Sequence, residues 1–193
     1  TTLDHPFLLT AGAEILFETA RFWASRVTPG GDGLFHIRNV MGPDEYHTGY
    51  PGRDAPWLDD NAYTNVMAAW TCQQACRILT VVEGHYREDL VARLAIDPEE
   101  VRRWEHLSRR MAVPFNGDGI ISQFAGYGDL AELDWEGYRE KYNNIERLDL
   151  ILEAEGDTTN RYRLAKQADT LMLLYLLGEE ELQAVLARLG YTV

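Results

Sequence analysis

The sequence predicts a mainly α-helical protein, and three observations lead to that prediction. Apolar residues recur at intervals of three and four along several segments, which is the spacing of a helix with one buried face. Alternation of apolar and polar residues, which marks a half-buried strand, is sparse along the 193 residues. The segment 164–177 is apolar nearly all round, so we expect a helix buried on most sides, as in layered or toroidal helix packing.

The N-terminal half combines predicted helices with one long loop. The apolar stripe of residues 11–27 predicts a first helix, which ends at Pro29-Gly30-Gly31. Residues 28–58 are rich in Gly and Pro, so we expect an irregular segment with at most a short strand at 34–37. Long loops of this kind are usually functional. Further helices are expected over residues 60–82, with Asp59 or Asp60 as the cap, over 87–94, and over 98–111 after the capping sequence Asp97-Pro98-Glu99-Glu100.

The C-terminal half is expected to begin with a second loop, over residues 112–134, followed by helices. Periodic apolar residues place these helices over 135–142, 145–153, 163–177 and 180–189. Cys72 and Cys76 are four residues apart in a predicted helix and share one face. We expect them to be small buried hydrophobic residues rather than a disulfide or a metal pair.

Composition excludes several classes of protein. The chain has 18 Lys and Arg against 31 Asp and Glu, for a net charge of −13, and no basic block, so nucleic acid is a poor partner. There is no apolar run long enough to span a membrane and no signal-peptide pattern at the N-terminus, which predicts a soluble, cytoplasmic protein.

The densest polar cluster lies in the first loop and the start of the helix after it. It comprises Gly42-Pro43-Asp44-Glu45-Tyr46-His47 and the string of residues 59–65. The simpler explanation of this cluster is that polar residues are common in solvent-exposed loops. Aromatic rings in the same stretch favour a site instead, because such rings stack on sugars and can raise the pKa of a nearby acid; these are Tyr46, Tyr50, Trp57 and Tyr63.

These strings, together with Gln123-Phe124, Gly126-Tyr127 and Lys166-Gln167-Ala168-Asp169, resemble the catalytic domain of glycoside hydrolase family 65. The resemblance implies part of an (α/α)6 barrel, with Glu45 as general acid and Lys166 and Gln167 in contact with glucose hydroxyls. It also assigns His47 and Asn61 to the substrate site. His47 could orient Glu45 or line the cleft, although a satisfied loop histidine fits the sequence equally well.

The activity implied is inverting phosphorolysis of an α-linked glucose disaccharide to β-glucose 1-phosphate and a released sugar. Phosphate is already an anionic nucleophile, so one carboxylic acid suffices, and no metal or organic cofactor is expected besides this co-substrate. Sequence neighbours usually point apart, so we expect only one of Glu45 and Asp44 to face the substrate, and the resemblance favours Glu45. Lys166 lies near the start of an apolar predicted helix, where a charged side chain is costly unless it reaches a cleft. The alternative is that its aliphatic stem packs on apolar residues while its amine reaches solvent. A hydrolase of the same family and a non-catalytic helical domain that binds carbohydrate or a partner remain alternatives.

The chain also departs from the family pattern. Ala125 stands where an acidic residue is common, and Gly128 stands where a bulky aromatic is usual. The N-terminal β-sandwich, the first barrel helices and the C-terminal phosphate-site region of the family are not found in the sequence. We therefore expect residues 1–193 to be a partial catalytic domain, inactive alone, whose full-length form is a homodimer.

Overall fold

The computed structural model describes residues 4–53 and 55–192, which form two compact units. Unit 1 comprises Thr1–Ile37, Asn65–Ala112 and Leu177–Val193, and unit 2 comprises Arg38–Thr64 and Val113–Leu176. The mainly α-helical prediction is confirmed. The helices are α1 (His5–Phe7), α2 (Ala13–Arg26), α3 (Ala62–Val81), α4 (Gly84–Arg93), α5 (Pro98–Arg110), α6 (Trp135–Lys141), α7 (Leu148–Ala154) and α8 (Asp169–Arg188).

Unit 1 is built around the apolar faces of α2, α3 and α5. The rings of Phe17 and Trp104 stack at 5.5 Å between centroids, and both side chains are fully buried. Burial raises the pKa of the Cys72 thiol to about 12, and both cysteines are free thiols; Cys72 is buried as expected, whereas Cys76 is only partly buried. A short antiparallel sheet of β1 (Val27–Pro29) and β2 (Phe35–Ile37) follows α2, close to the strand predicted at 34–37.

Local capping signals predicted α5 correctly. Asp97 accepts a hydrogen bond from the backbone N–H of Glu99 at 2.8 Å, and Pro98 occupies the first helical position. The structure adds a helical stretch ahead of α2, which sequence periodicity did not predict: α1 leads into a π-helical turn over Leu8–Gly12.

The predicted cap of α3 was wrong. Asp60 adopts a positive φ of 51°, and the cap is Asn61, whose Oδ1 accepts from the backbone N–H of Thr64 at 2.9 Å. Three successive residues of cap-forming type made the sequence signal ambiguous by one or two positions.

Unit 2 carries the loops and a smaller core. Tyr46, Leu133, Leu148, Leu152 and Leu164 form this core. Four partly buried apolar side chains pack against it: Trp135, Tyr138, Ile145 and Tyr162.

The predicted helix 163–177 begins six residues late, at Asp169, so Lys166 and Gln167 lie in irregular backbone before α8. In this chain Leu171 is 65% exposed and Tyr175 is 89% exposed, as expected for an apolar helix at the open edge of a partial barrel. The predicted separation from helix 180–189 is present as a break at Gly178, which has φ 74° and ψ 168°. No helix in the described part of the chain is both long and apolar enough to cross a bilayer.

Candidate active site

Two irregular segments of unit 2 carry the predicted site. We call residues 42–49 the acid loop and residues 159–167 the lysine segment. Hydrogen bonds between side chains of the lysine segment and the backbone of the acid loop hold the two segments together. Thr159 Oγ1 donates to the carbonyl of Tyr46, and Asn160 Oδ1 accepts from the backbone N–H of Thr48 at 2.9 Å and of Gly49 at 3.3 Å.

Asp44 makes the densest set of bonds between the two segments. Its Oδ1 accepts from the backbone N–H groups of Lys166 at 2.8 Å, Gln167 at 3.3 Å and Tyr46 at 3.4 Å. Asp44 is only 4% exposed, yet its pKa lies below the ordinary value. Burial is the largest single influence and acts to raise the pKa, but the hydrogen bonds from His47 and the three backbone donors together outweigh it.

His47 supports Asp44 from the buried side. Its Nδ1 lies 3.0 Å from Asp44 Oδ2, and its Nε2 lies 3.0 Å from the carbonyl oxygen of Tyr162. A carbonyl oxygen only accepts, so Nε2 is the donor in the contact with Tyr162, while Nδ1 faces the carboxyl oxygen. The ring also makes edge contacts with Phe124 and Tyr127 at centroid distances of 5.1 and 5.6 Å.

Glu45 points away from Asp44, as expected for neighbours in sequence, and its side chain is 62% exposed. The Lys166 ammonium donates to Glu45 Oε2, and Gln167 Oε1 accepts from the backbone N–H of Glu45 at 3.3 Å. The Lys166 contact holds the pKa of Glu45 below its ordinary value. The raised pKa expected for an acid among aromatic rings is therefore not found in this chain.

Asn61 and Asp169 are buried side chains that pack against Gly42 of the acid loop. Asn61 Nδ2 donates to Asp169 Oδ2 at 3.0 Å and to the carbonyl of Gln123 at 3.2 Å, while Asn61 Oδ1 caps α3. Gly42 passes so close that a Cβ there would lie 2.2 Å from Asn61 Nδ2. Burial raises the pKa of Asp169, the opposite direction from Asp44.

Unit 2 also has an open groove of about 560 Å³, whose lining does not include Glu45 or Lys166. It is lined in part by Tyr46 and Ala165, which are the sequence neighbours of Glu45 and Lys166, and by Trp135 and Asn144. An indole ring and amide groups along one groove can stack on and hydrogen-bond to a sugar ring. Of the other predicted aromatics, Tyr50 bonds to the carbonyl of Ala125 at 2.8 Å.

The structure brings Glu45, Lys166 and Gln167 together, and their catalytic and sugar-binding roles stay predictions. It places His47 and Asn61 beneath them, fully or almost fully buried, with each polar side-chain atom hydrogen-bonded within the protein. The bridging contacts of Asp44 were missed, because they join residues 122 positions apart. Among the described residues, no group of three or more His, Cys, Asp or Glu side chains is placed to hold a metal ion.

Aromatic rings with a few polar groups beside them are typical of small-molecule sites in general. The family model described as the glycosyl hydrolase family 65 central catalytic domain matches residues 1–189. The chain belongs to this family.

Similar proteins agree with that membership. An uncharacterized glycosyl hydrolase of Mycobacterium tuberculosis is 52% identical over 191 residues, which cover 98% of this chain and 14% of that protein. The trehalose 6-phosphate phosphorylase of Lactococcus lactis is 36% identical over 98% of this chain and 23% of its own length. A solved structure titled putative kojibiose phosphorylase from human microbiome matches with a TM-score of 0.73 and 24% identity, over 96% of this chain and 24% of that one. The fold is thus that of part of an (α/α)6 barrel, and the chain spans less than a quarter of each protein.

Proposed function

We propose that the chain is the central part of a catalytic domain that performs inverting phosphorolysis of an α-linked glucose disaccharide, with Glu45 as general acid. The convergence of Glu45, Lys166 and Gln167 at the exposed surface of unit 2 is the observation that supports this proposal most directly. The phosphorylases among the relatives support it independently.

In this reaction Glu45 gives its proton to the glycosidic oxygen while phosphate attacks the anomeric carbon from the opposite face. The bond to the leaving sugar breaks, and β-glucose 1-phosphate and a free sugar result. Phosphate needs no base to activate it, so a single acid is sufficient. Lys166 and Gln167 hold the hydroxyls of the transferred glucose, and phosphate is the only co-substrate, without a metal or organic cofactor.

Protonation of Glu45 requires that Lys166 release it, because their contact stabilises the carboxylate. The oxygen of a glucose hydroxyl can replace Glu45 as the acceptor of the Lys166 hydrogen bond. Loss of the lysine contact then returns the pKa of Glu45 toward its ordinary value. Enclosure of the site by the remainder of the domain then raises that pKa further by excluding water. We place the β-sandwich, the first barrel helices and the phosphate site in this remainder, so the complete protein is the active form. Its assembly as a homodimer and its cytoplasmic location stay predictions.

The test is Glu45→Gln in the complete protein, assayed with trehalose, maltose, kojibiose and nigerose, with and without phosphate. We expect turnover to fall by about 10²- to 10⁴-fold, since an amide cannot supply the proton. Glu153→Gln, an exposed change on α7, serves as the matched control and should retain full activity. Activity of Glu45→Gln within a few-fold of wild type would exclude Glu45 as the acid. Sugar release without phosphate would identify a hydrolase instead.

A further inference from the structure

We propose that Asp44 is the positioning residue of this site: its carboxylate fixes the backbone of Lys166 and Gln167 so that their side chains face Glu45. This inference rests on the proposed function, in which Glu45 is the acid and the other two residues bind the sugar. Asp44 itself is buried and acts through these neighbours.

After the 3-10 turn over Thr159–Arg161, the lysine segment has no helix or strand that would hold Lys166 and Gln167. Helix α8 begins only at Asp169, so neither residue belongs to a helical ladder of hydrogen bonds. One oxygen of Asp44 accepts from both backbone N–H groups, at 2.8 and 3.3 Å. A carboxylate therefore supplies here the acceptors that a helix would supply elsewhere.

The carboxylate is in turn prevented from rotating. His47 binds its second oxygen at 3.0 Å, and the far side of the His47 ring is tied to the carbonyl of Tyr162 at 3.0 Å. Tyr162 belongs to the lysine segment, so the chain of contacts from Asp44 through His47 returns to the segment that Asp44 orients. The other charged groups close to Asp44 are Glu45, Lys166 and the buried Asp169.

Three substitutions of Asp44 distinguish the effect of the position of its Oδ1 from the effect of its negative charge. Asp44→Asn keeps Oδ1 as acceptor for both N–H groups, and its amide can donate to a neutral His47. Asp44→Glu keeps the charge but moves the carboxylate outward by one methylene. Asp44→Ala removes the acceptors. The matched control is Asp97→Ala, which also removes a carboxylate that binds a backbone N–H, at the start of α5.

In the complete protein we expect the Asn variant to keep kcat/KM within about tenfold of wild type. The Glu and Ala variants should lose about 100-fold or more, because a misplacement of about 1 Å costs that much. Asp97→Ala should lower only thermal stability. A Glu variant more active than the Asn variant, or a folded Ala variant within threefold of wild type, would overturn the proposal.

A second measurement requires no activity and so remains decisive if the proposed function fails. The pKa of the Glu45 carboxyl, followed by carbon NMR, should stay lowered in Asp44→Asn and rise toward the ordinary value of about 4.3 in Asp44→Ala, where Lys166 is no longer held. Both variants remove the same charge, so the contrast reports position alone. Equal pKa values of Glu45 in the two variants would contradict the proposal. If the Ala variant fails to fold, Asp44→Glu is compared with wild type, which carries the same charge at this position, and an equal pKa of Glu45 in those two proteins would likewise contradict the proposal.

Discussion

Substitution of Gly42 by alanine should destabilise the protein through one well-defined collision. A Cβ at this position would lie 2.2 Å from Asn61 Nδ2 and 2.7 Å from Asp169 Oδ2, far inside normal contact distance. Asn61 cannot easily move, because it is fully buried, caps α3 and donates to the carbonyl of Gln123. Overpacking a buried site costs about 1–3 kcal/mol and losing a helix cap costs about 0.5–2 kcal/mol, so we expect a loss of roughly 2–4 kcal/mol.

For a chain of this size, such a loss corresponds to a fall in Tm of about 5–15 °C, measurable by circular dichroism. The matched control is Gly117→Ala in the same unit, where a Cβ would meet nothing within 4 Å. We expect the control to leave Tm unchanged within about 2 °C. If the two variants melted at the same temperature, the close passage of the acid loop over Asn61 would be refuted.

Three further outcomes are expected. Lys166→Ala should raise the pKa of Glu45, since the ammonium that stabilises the carboxylate is gone; carboxyl NMR measures this, and an unchanged Glu45 pKa would argue against the contact. In the complete enzyme the same substitution should weaken sugar binding by about 1.5–3 kcal/mol, measured by glucose inhibition. Trp104→Ala should cost about 3–5 kcal/mol in urea unfolding, because it empties the stack on Phe17, whereas Tyr86→Ala, at a half-exposed ring, should cost under about 1 kcal/mol. Residues 1–193 alone should release no glucose 1-phosphate from any of the four disaccharides; release at the rate of a complete relative would show that the site needs no further segment.

Local signals account for the elements that the sequence predicted well. The start of α5 was correct because its cap, proline and acidic first turn lie within four consecutive residues. The helices α2 and α3 were also predicted correctly, since buried residues recur at helical spacing along a single segment in each. The Glu45 and Lys166 pair was found through a motif resemblance, which carries information that spacing alone does not.

The start of α8 was mispredicted because distant contacts decide it. Leu164, Ala165 and Ala168 continue the apolar pattern, so the sequence favours a helix from residue 163. The carboxylate of Asp44 instead takes the backbone N–H of Lys166 and Gln167, and no local pattern shows a partner so far along the chain. The sequence shows that the face around Leu171 is apolar but not which segment covers it, and in this chain Leu171 is exposed.

The separation between the acid loop and the lysine segment also has a consequence for how the protein is made. Asp44 finds its two backbone donors only after Lys166 and Gln167 exist, 122 and 123 residues later. At about 5–20 residues per second, a ribosome needs roughly 6–24 s to add that stretch. During this interval the loop carrying Glu45 has none of its contacts with the lysine segment, although the parts of unit 1 up to Ala112, which include α2 and α5, can already pack. The loop that carries Glu45 therefore reaches its native geometry only after the helices that precede Lys166 in the sequence have been made.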